Sequence, residues 1–176
     1  MNRCIVMILI LVPILLIISL VGCDQGVEPK PITEPTGFSG EITFIGDWPN
    51  DIQRTHVVTF KNPLLSENDF NISNLKYISE EIPNGIQIYN YTSLDSAIIP
   101  GQGFLEPGEY SYIAVAQSKT AELSLNRSDW FVAGLYYSPG DSTQPGRIIT
   151  LEDSVLENIN IICDFNNPPP QPPGGD

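Results

Sequence analysis

Few residues in this chain are equipped for chemistry. There is one histidine, His56. A histidine that works as a base needs an orienting partner. His56 instead lies in the β-branched run RTHVVTF, with the parity of Arg54, Val58 and Phe60, which is the setting of a structural histidine. The carboxylates of Asp47, Asp51, Asp129, Asp141 and Asp153 fall near turns and strand ends. Converging loops of that kind can hold Ca²⁺, or pair two acids for glycoside hydrolysis. None of these stretches has the spacing of a calcium loop, so neither metal nor cofactor is expected. The remaining candidates are aromatic. Trp48, Trp130, Tyr136 and Tyr137 are the candidate ligand-binding residues, because large rings with a polar edge stack on sugars and anchor protein contacts. Each also has a structural alternative. Trp48 sits in the turn 47–51 and would cap an edge of the fold. Trp130 opens a run apolar on both parities, with Phe131, Ala133, Leu135 and Tyr137 on one and Trp130, Val132 and Tyr136 on the other. A strand apolar on both faces belongs in the middle of a packed sheet.

The three cysteines divide by position. Cys4 and Cys23 flank an apolar run, residues 5–21, broken only by Pro13 and Ser19, and Arg3 supplies a positive charge ahead of it. This is the layout of a secretory leader. The stretch Leu20-Val21-Gly22-Cys23 resembles the processing site of bacterial lipoproteins, in which a small residue precedes the modified cysteine. The resemblance implies cleavage between Gly22 and Cys23 and lipidation of Cys23. At about 0.8 kcal/mol per buried methylene, two or three acyl chains anchor a protein firmly. The alternative is an uncleaved anchor, since 5–21 is near the lower limit of about 17 to 25 residues for a spanning helix. That alternative leaves the placing of Cys23 without a reason. In the processed chain Cys23 is taken by lipid and only Cys163 keeps a free thiol, so no disulfide can form within it. Cys163 shares parity with Ile159, Ile161 and Phe165, as expected of a buried thiol.

Charge narrows the partners. The chain carries 21 acidic and 8 basic residues, a formal charge of -13, and loss of Arg3 with the leader makes it more negative still. Nucleic acid is not expected as a partner, because phosphate binding needs clustered Lys and Arg. The acidity serves solubility.

The elements that must position these residues are short strands. Residues 23–36 contain three prolines and no periodicity, and read as a semi-extended tether. From residue 37 the pattern becomes apolar alternation punctuated by turns. Strands are expected near 38–45, 54–60, 75–78, 86–91, 110–117, 130–137, 147–151 and 158–165. Residues 62–74 read as an irregular connection, 93–103 as a strand end and turn, and 118–129 as a loop or short helical turn. Pro107-Gly108 suits a type II turn. No helical stripe runs over a dozen residues. The expectation is all-β: a single antiparallel sandwich of seven or eight strands over 37–167, behind a signal helix and a flexible tether. Residues 168–176, PPPQPPGGD, are expected to form a flexible or polyproline-like tail.

The opening strand Phe38-Ser39-Gly40-Glu41-Ile42, the turn Pro107-Gly108-Glu109-Tyr110 and the closing Cys163-Asp164-Phe165 resemble the transthyretin-like (prealbumin-like) sandwich group. That group includes carboxypeptidase regulatory-domain-like modules and bacterial lipoproteins. Its hydrolases use several histidines and a C-terminal Tyr-Arg-Gly-Ser, which this chain lacks. Its isopeptide-forming adhesins use a lysine on the first strand, absent from 38–45. Its starch-binding members use exposed Trp and Tyr. The resemblance therefore implies a fold and no reaction. The expected protein is a non-enzymatic lipoprotein of the bacterial envelope, held to a membrane through Cys23 on the periplasmic or surface side. Its sandwich would bind a protein partner or support an assembly, with a carbohydrate-binding module as the alternative and a small hydrolase as a distant third.

Overall fold

The computed structural model describes residues 35–95 and 105–175. Gly22 and Cys23 of the expected cleavage site, the expected signal helix and nearly all of the expected tether lie outside the described residues. Ten strands are described: β1 (Gly37–Ile45), β2 (Arg54–Phe60), β3 (Leu75–Ile78), β4 (Ile88–Thr92), β5 (Gly108–Tyr110), β6 (Tyr112–Ser118), β7 (Trp130–Leu135), β8 (Ile148–Thr150), β9 (Val155–Leu156) and β10 (Ile161–Asp164). Two short 3₁₀ turns interrupt the loops, at Glu67–Asp69 and Arg127–Asp129.

The main sheet runs β3-β2-β6-β7-β10-β1-β4, with β9 also on β1, while β5 and β8 form a small second sheet. The sheet is mixed, which corrects the expectation of a purely antiparallel sandwich. β1 pairs in parallel with β10, Ile42 opposite Ile161, and with β9, Gly37 opposite Val155. The other pairings are antiparallel. The difference is a matter of return path. Hairpins need only two-residue turns, whereas a parallel pair needs a long crossover, and the strand pairing β1 arrives more than a hundred residues later.

β9 and β10 act as one strand broken at residues 157–160. Asn158 adopts a left-handed conformation, with φ 66°. Three hydrogen bonds bridge the break. Ile159 N–H donates to the Ser39 carbonyl at 3.0 Å, Glu41 N–H to Asn160 Oδ1 at 2.9 Å, and Tyr91 Oη to the Ile159 carbonyl at 2.6 Å. Gly40 is required here, because a Cβ would run into the Ile159 carbonyl. Gly108, with φ 151°, opens β5 rather than filling the third position of a type II turn.

The sheet curls around a core of Phe38, Ile42, Phe44, Val57, Ile113, Val115, Ile161 and Cys163, all buried. Each such side chain contributes about 1.5–3 kcal/mol on burial. The outer face of β2, β3, β6 and β7 carries a second cluster that includes Val58, Phe60, Tyr112, Ala116, Trp130 and Leu135. Phe70 and Leu123–Leu125 cover it from the flanking loops. Covering on both faces explains why β6 is buried at every position and why it reads as apolar without alternation.

A bulge on β7 changes the parity read from sequence. Gly134 pairs with Val115 and Val132 with Ala116, leaving Ala133 as the extra residue. Beyond it Leu135 and Tyr137 join the outer face of Trp130 and Val132, and Tyr136 joins the inner core.

Candidate functional site

The candidate residues separate once their surroundings are known. Trp48 is half-buried at one end of the sheet. Its ring lies 4.5 Å from Phe44 and 5.2 Å from Phe165, and its Nε1–H donates to the Ile86 carbonyl at 3.0 Å. Trp130 is buried, with Nε1–H donating to the Ser124 carbonyl at 2.7 Å. Tyr136 is buried in the inner core. These three rings therefore have structural partners, and they do not form a row with Tyr137. Tyr137 is the one of the four that lines a groove on the outer side of β10.

That groove holds about 770 Å³ on the outer side of β10. Leu135, Tyr137 and Ile162 supply apolar surface, and Pro168, Pro169 and Pro170 form one wall. Asn160, Asp164 and Asn167 supply polar groups. Asp164 Oδ1 accepts from the Asn166 backbone at 3.0 Å and side chain at 3.3 Å, and Asn160 Oδ1 accepts from Glu41. Among the described residues, Asp164 Oδ2 and Asn160 Nδ2 make no hydrogen bond, so the groove presents an acceptor and a donor beside an aromatic ring. Ile162, one of its lining residues, is 62% exposed.

A second cavity of about 550 Å³ lies at the opposite end of β7. Asp51, Lys119, Asp129, Trp130, Phe131 and Gly175 are among its lining residues. It brings together two of the carboxylates considered as a catalytic pair. Lys119 bridges Asp51 at 2.5 Å and holds its carboxyl below the usual range. A glycosidase acid needs its carboxyl pushed the other way. Asp141 is likewise lowered by hydrogen bonds from the Thr143 hydroxyl and backbone. Asp153 turns the chain with φ 55°. Among the described residues, no three His, Cys, Asp or Glu side chains group as metal ligands would.

His56 is fully buried on the outer face of β2, its ring 6.0 Å from Trp130. Its Nδ1 pairs with the Ser79 carbonyl at 3.0 Å, and Nε2 has no hydrogen-bond partner among the described residues. Burial pulls its pKa below the ordinary value, so the ring is neutral with Nδ1–H donating. Cys163 is fully buried, and burial pushes its thiol far above the ordinary range. Such a thiol is not a nucleophile at neutral pH.

The structure adds residues that sequence reasoning passed over. The C-terminal segment, read as a flexible or polyproline-like tail, lies along β7. Val132 N–H donates to Gln171 Oε1 at 2.7 Å, and Gln171 Nε2 donates back to the Val132 carbonyl at 2.9 Å. β10 pairs with β7 only at Leu135, which leaves the outward edge at Val132 to this side-chain amide. Pro172 is buried and accepts a 2.9 Å hydrogen bond from Arg127 Nη2. Arg127 is itself buried and donates to the Trp130 carbonyl. A Cβ at Gly175 would strike the Arg127 guanidinium, and one at Gly174 would approach the Glu67 side chain. Composition gives no signal for this docking, because it depends on one glutamine amide, one buried proline and two glycines in a segment that reads as low complexity.

Comparison with family models, curated proteins and solved structures gives no match.

Proposed function

We propose that this chain is a lipid-tethered, non-catalytic binding module of a bacterial cell envelope, held by an acyl-modified Cys23, with the groove beside Tyr137 as its ligand surface. The observation that carries the binding reading is the groove itself. It combines one partly exposed aromatic ring, an exposed Ile162 and polar groups with unused hydrogen-bonding capacity, the mixed lining typical of recognition sites. The tethering reading rests on Gly22-Cys23 at the end of the apolar run. The opening strand, the Pro107-Gly108-Glu109-Tyr110 segment and the closing Cys163-Asp164-Phe165 support kinship with the transthyretin-like sandwiches. Carbohydrate binding is the weaker alternative, because a sugar platform favours several exposed rings and three of the four candidates pack within the protein.

The tethering is tested by metabolic labelling of the full chain with a radioactive fatty acid, followed by fractionation. The native chain takes label and sediments with membranes. Cys23→Ala takes none and is released. A processed Cys23→Ala chain that still sediments with the membrane overturns the lipid anchor.

A further inference from the structure

The C-terminal segment touches both cavities. Pro168, Pro169 and Pro170 wall the groove at Tyr137, and Gly175 lines the cavity at Trp130 and Phe131. Between them Gln171 occupies the edge of β7 at Val132. An unpaired strand edge is a template for an added extended chain. Here its N–H and C=O are satisfied by a group that mimics a peptide unit yet belongs to a side chain. Proline-rich segments suit such a place, because their conformation is fixed in advance and aromatic-lined grooves recognise it.

We propose that the cleft along the outer edge of β7 is a peptide-binding site, and that residues 168–175 are its built-in occupant. The external ligand is an extended, proline-rich peptide that presents an amide side chain to Val132, as Gln171 does. The tail thus serves as a strap that competes with the partner. The inference deepens the binding role given above and rests on the groove being the ligand surface; it is independent of lipidation. Four residues of the strap have a fitted role. Gln171 supplies a donor and an acceptor at the spacing of Val132, Pro172 is buried with its carbonyl on Arg127, and Gly174 and Gly175 pass where side chains would clash. Asp129 and Asp164, which line the two cavities, favour a partner peptide with basic flanks.

The test uses a fluorescent peptide of residues 166–176 added to the full chain in detergent. A strap held on a short linker competes at an effective concentration of about millimolar. The native chain therefore binds the added peptide weakly. Gln171→Ala loosens the strap and strengthens binding in trans by about five- to a hundredfold, since two hydrogen bonds of the competitor are lost. A peptide carrying Ala in place of the glutamine binds neither chain. Amide exchange at Val132 gives the second readout: slow in the native chain, faster in Gln171→Ala, and slow again when the native peptide is added. Equal affinity for both chains, or no binding to Gln171→Ala, overturns the inference. If Gln171→Ala fails to fold, the native chain decides, because several millimolar peptide must then displace the strap. Its failure to do so also overturns the inference. Tyr137→Ala-sensitive binding of chitohexaose without any peptide binding overturns the peptide site while leaving the groove as a ligand surface. Absence of both removes the groove as well.

Discussion

Tyr77 Oη donates a 2.9 Å hydrogen bond to the carbonyl of Thr92 and so joins the two outermost strands of the main sheet, β3 and β4. The same ring meets Phe38 edge-on at 6.0 Å, and Phe38 meets Tyr91 of β4 in the same way. The curled sheet is thus fastened across its edges by side chains where no strand ladder closes it. Tyr77→Phe keeps the ring contacts and removes the hydroxyl. Its expected cost is about 0.5–1.5 kcal/mol. Tyr77→Ala also removes the buried ring and approaches the 3–5 kcal/mol typical of buried aromatic deletions. Urea unfolding of the two variants checks this. Equal losses would mean that the hydroxyl, not the ring, fastens the edges.

His56 makes stability depend on pH. Burial is the main cause of its lowered pKa, opposed by the Ser79 carbonyl and the nearby charge of Glu81. The unfolded chain has an ordinary histidine, which titrates near 6.5. Above that value neither state is protonated and the residue contributes no slope. As the pH falls through 6.5 the unfolded state binds a proton that the folded state resists, so stability decreases until the folded pKa is reached. The melting temperature is expected to drop between pH 7 and pH 5, and His56→Gln is expected to flatten that drop. A drop that is equally steep in His56→Gln would show that the buried ring is not its source.

Gly134 and Cys163 meet at the bulge of β7. A Cβ on Gly134 would lie 2.5 Å from Cys163 Sγ, 2.8 Å from the Ile162 carbonyl oxygen and 2.9 Å from Ile161 Cγ2. Gly134→Ala is therefore expected to cost about 1–3 kcal/mol through overpacking. Cys163→Ala in the same chain relieves only part of the loss, because the Ile162 carbonyl is backbone and stays in place. Chemical denaturation of the single and double variants measures the coupling. Cys163 is also expected to resist alkylation in the native chain and to react once denatured. Full rescue by Cys163→Ala would locate the whole conflict at the sulfur.

Much of this architecture is legible in the residues, and the illegible parts share a cause. Alternation locates β1 at Phe38, Ile42 and Phe44, and the β-branched run locates β2, because those patterns express local burial. Pairing is not local. Nothing near Ile161 reveals that it lies parallel to Ile42 instead of in a hairpin. The bulge at Ala133 is equally silent, since one extra residue reverses the facing of Leu135, Tyr136 and Tyr137 without changing their types. Assigning Tyr136 and Tyr137 to faces by simple parity therefore exchanges the buried ring with the one that reaches the groove. The strap is hidden for a third reason. Its fit comes from single groups on a proline-rich segment, whereas composition registers only that the segment cannot form a core of its own.

The aromatic residues supply the last prediction, since stability and binding should separate among them. Trp130→Ala deletes a buried ring between His56 and the outer cluster and removes the hydrogen bond to the Ser124 carbonyl. It is expected to cost about 3–5 kcal/mol. Trp48→Ala is expected to cost less, because the ring is half-exposed, but it removes the tilted ring contacts to Phe44 and Phe165 and leaves the Ile86 carbonyl without its donor. Tyr137→Ala removes a ring that only partly packs on the outer cluster and should cost the least in stability. If the groove is the ligand surface, the ring that costs least in stability matters most for binding. Tyr137→Ala then weakens peptide capture by the Gln171→Ala chain most, whereas Trp48→Ala leaves it unchanged at temperatures where the protein remains folded. Thermal unfolding and fluorescence anisotropy on the same samples decide the matter. A Tyr137→Ala chain with native affinity would remove the ring from the ligand surface, however large its effect on stability.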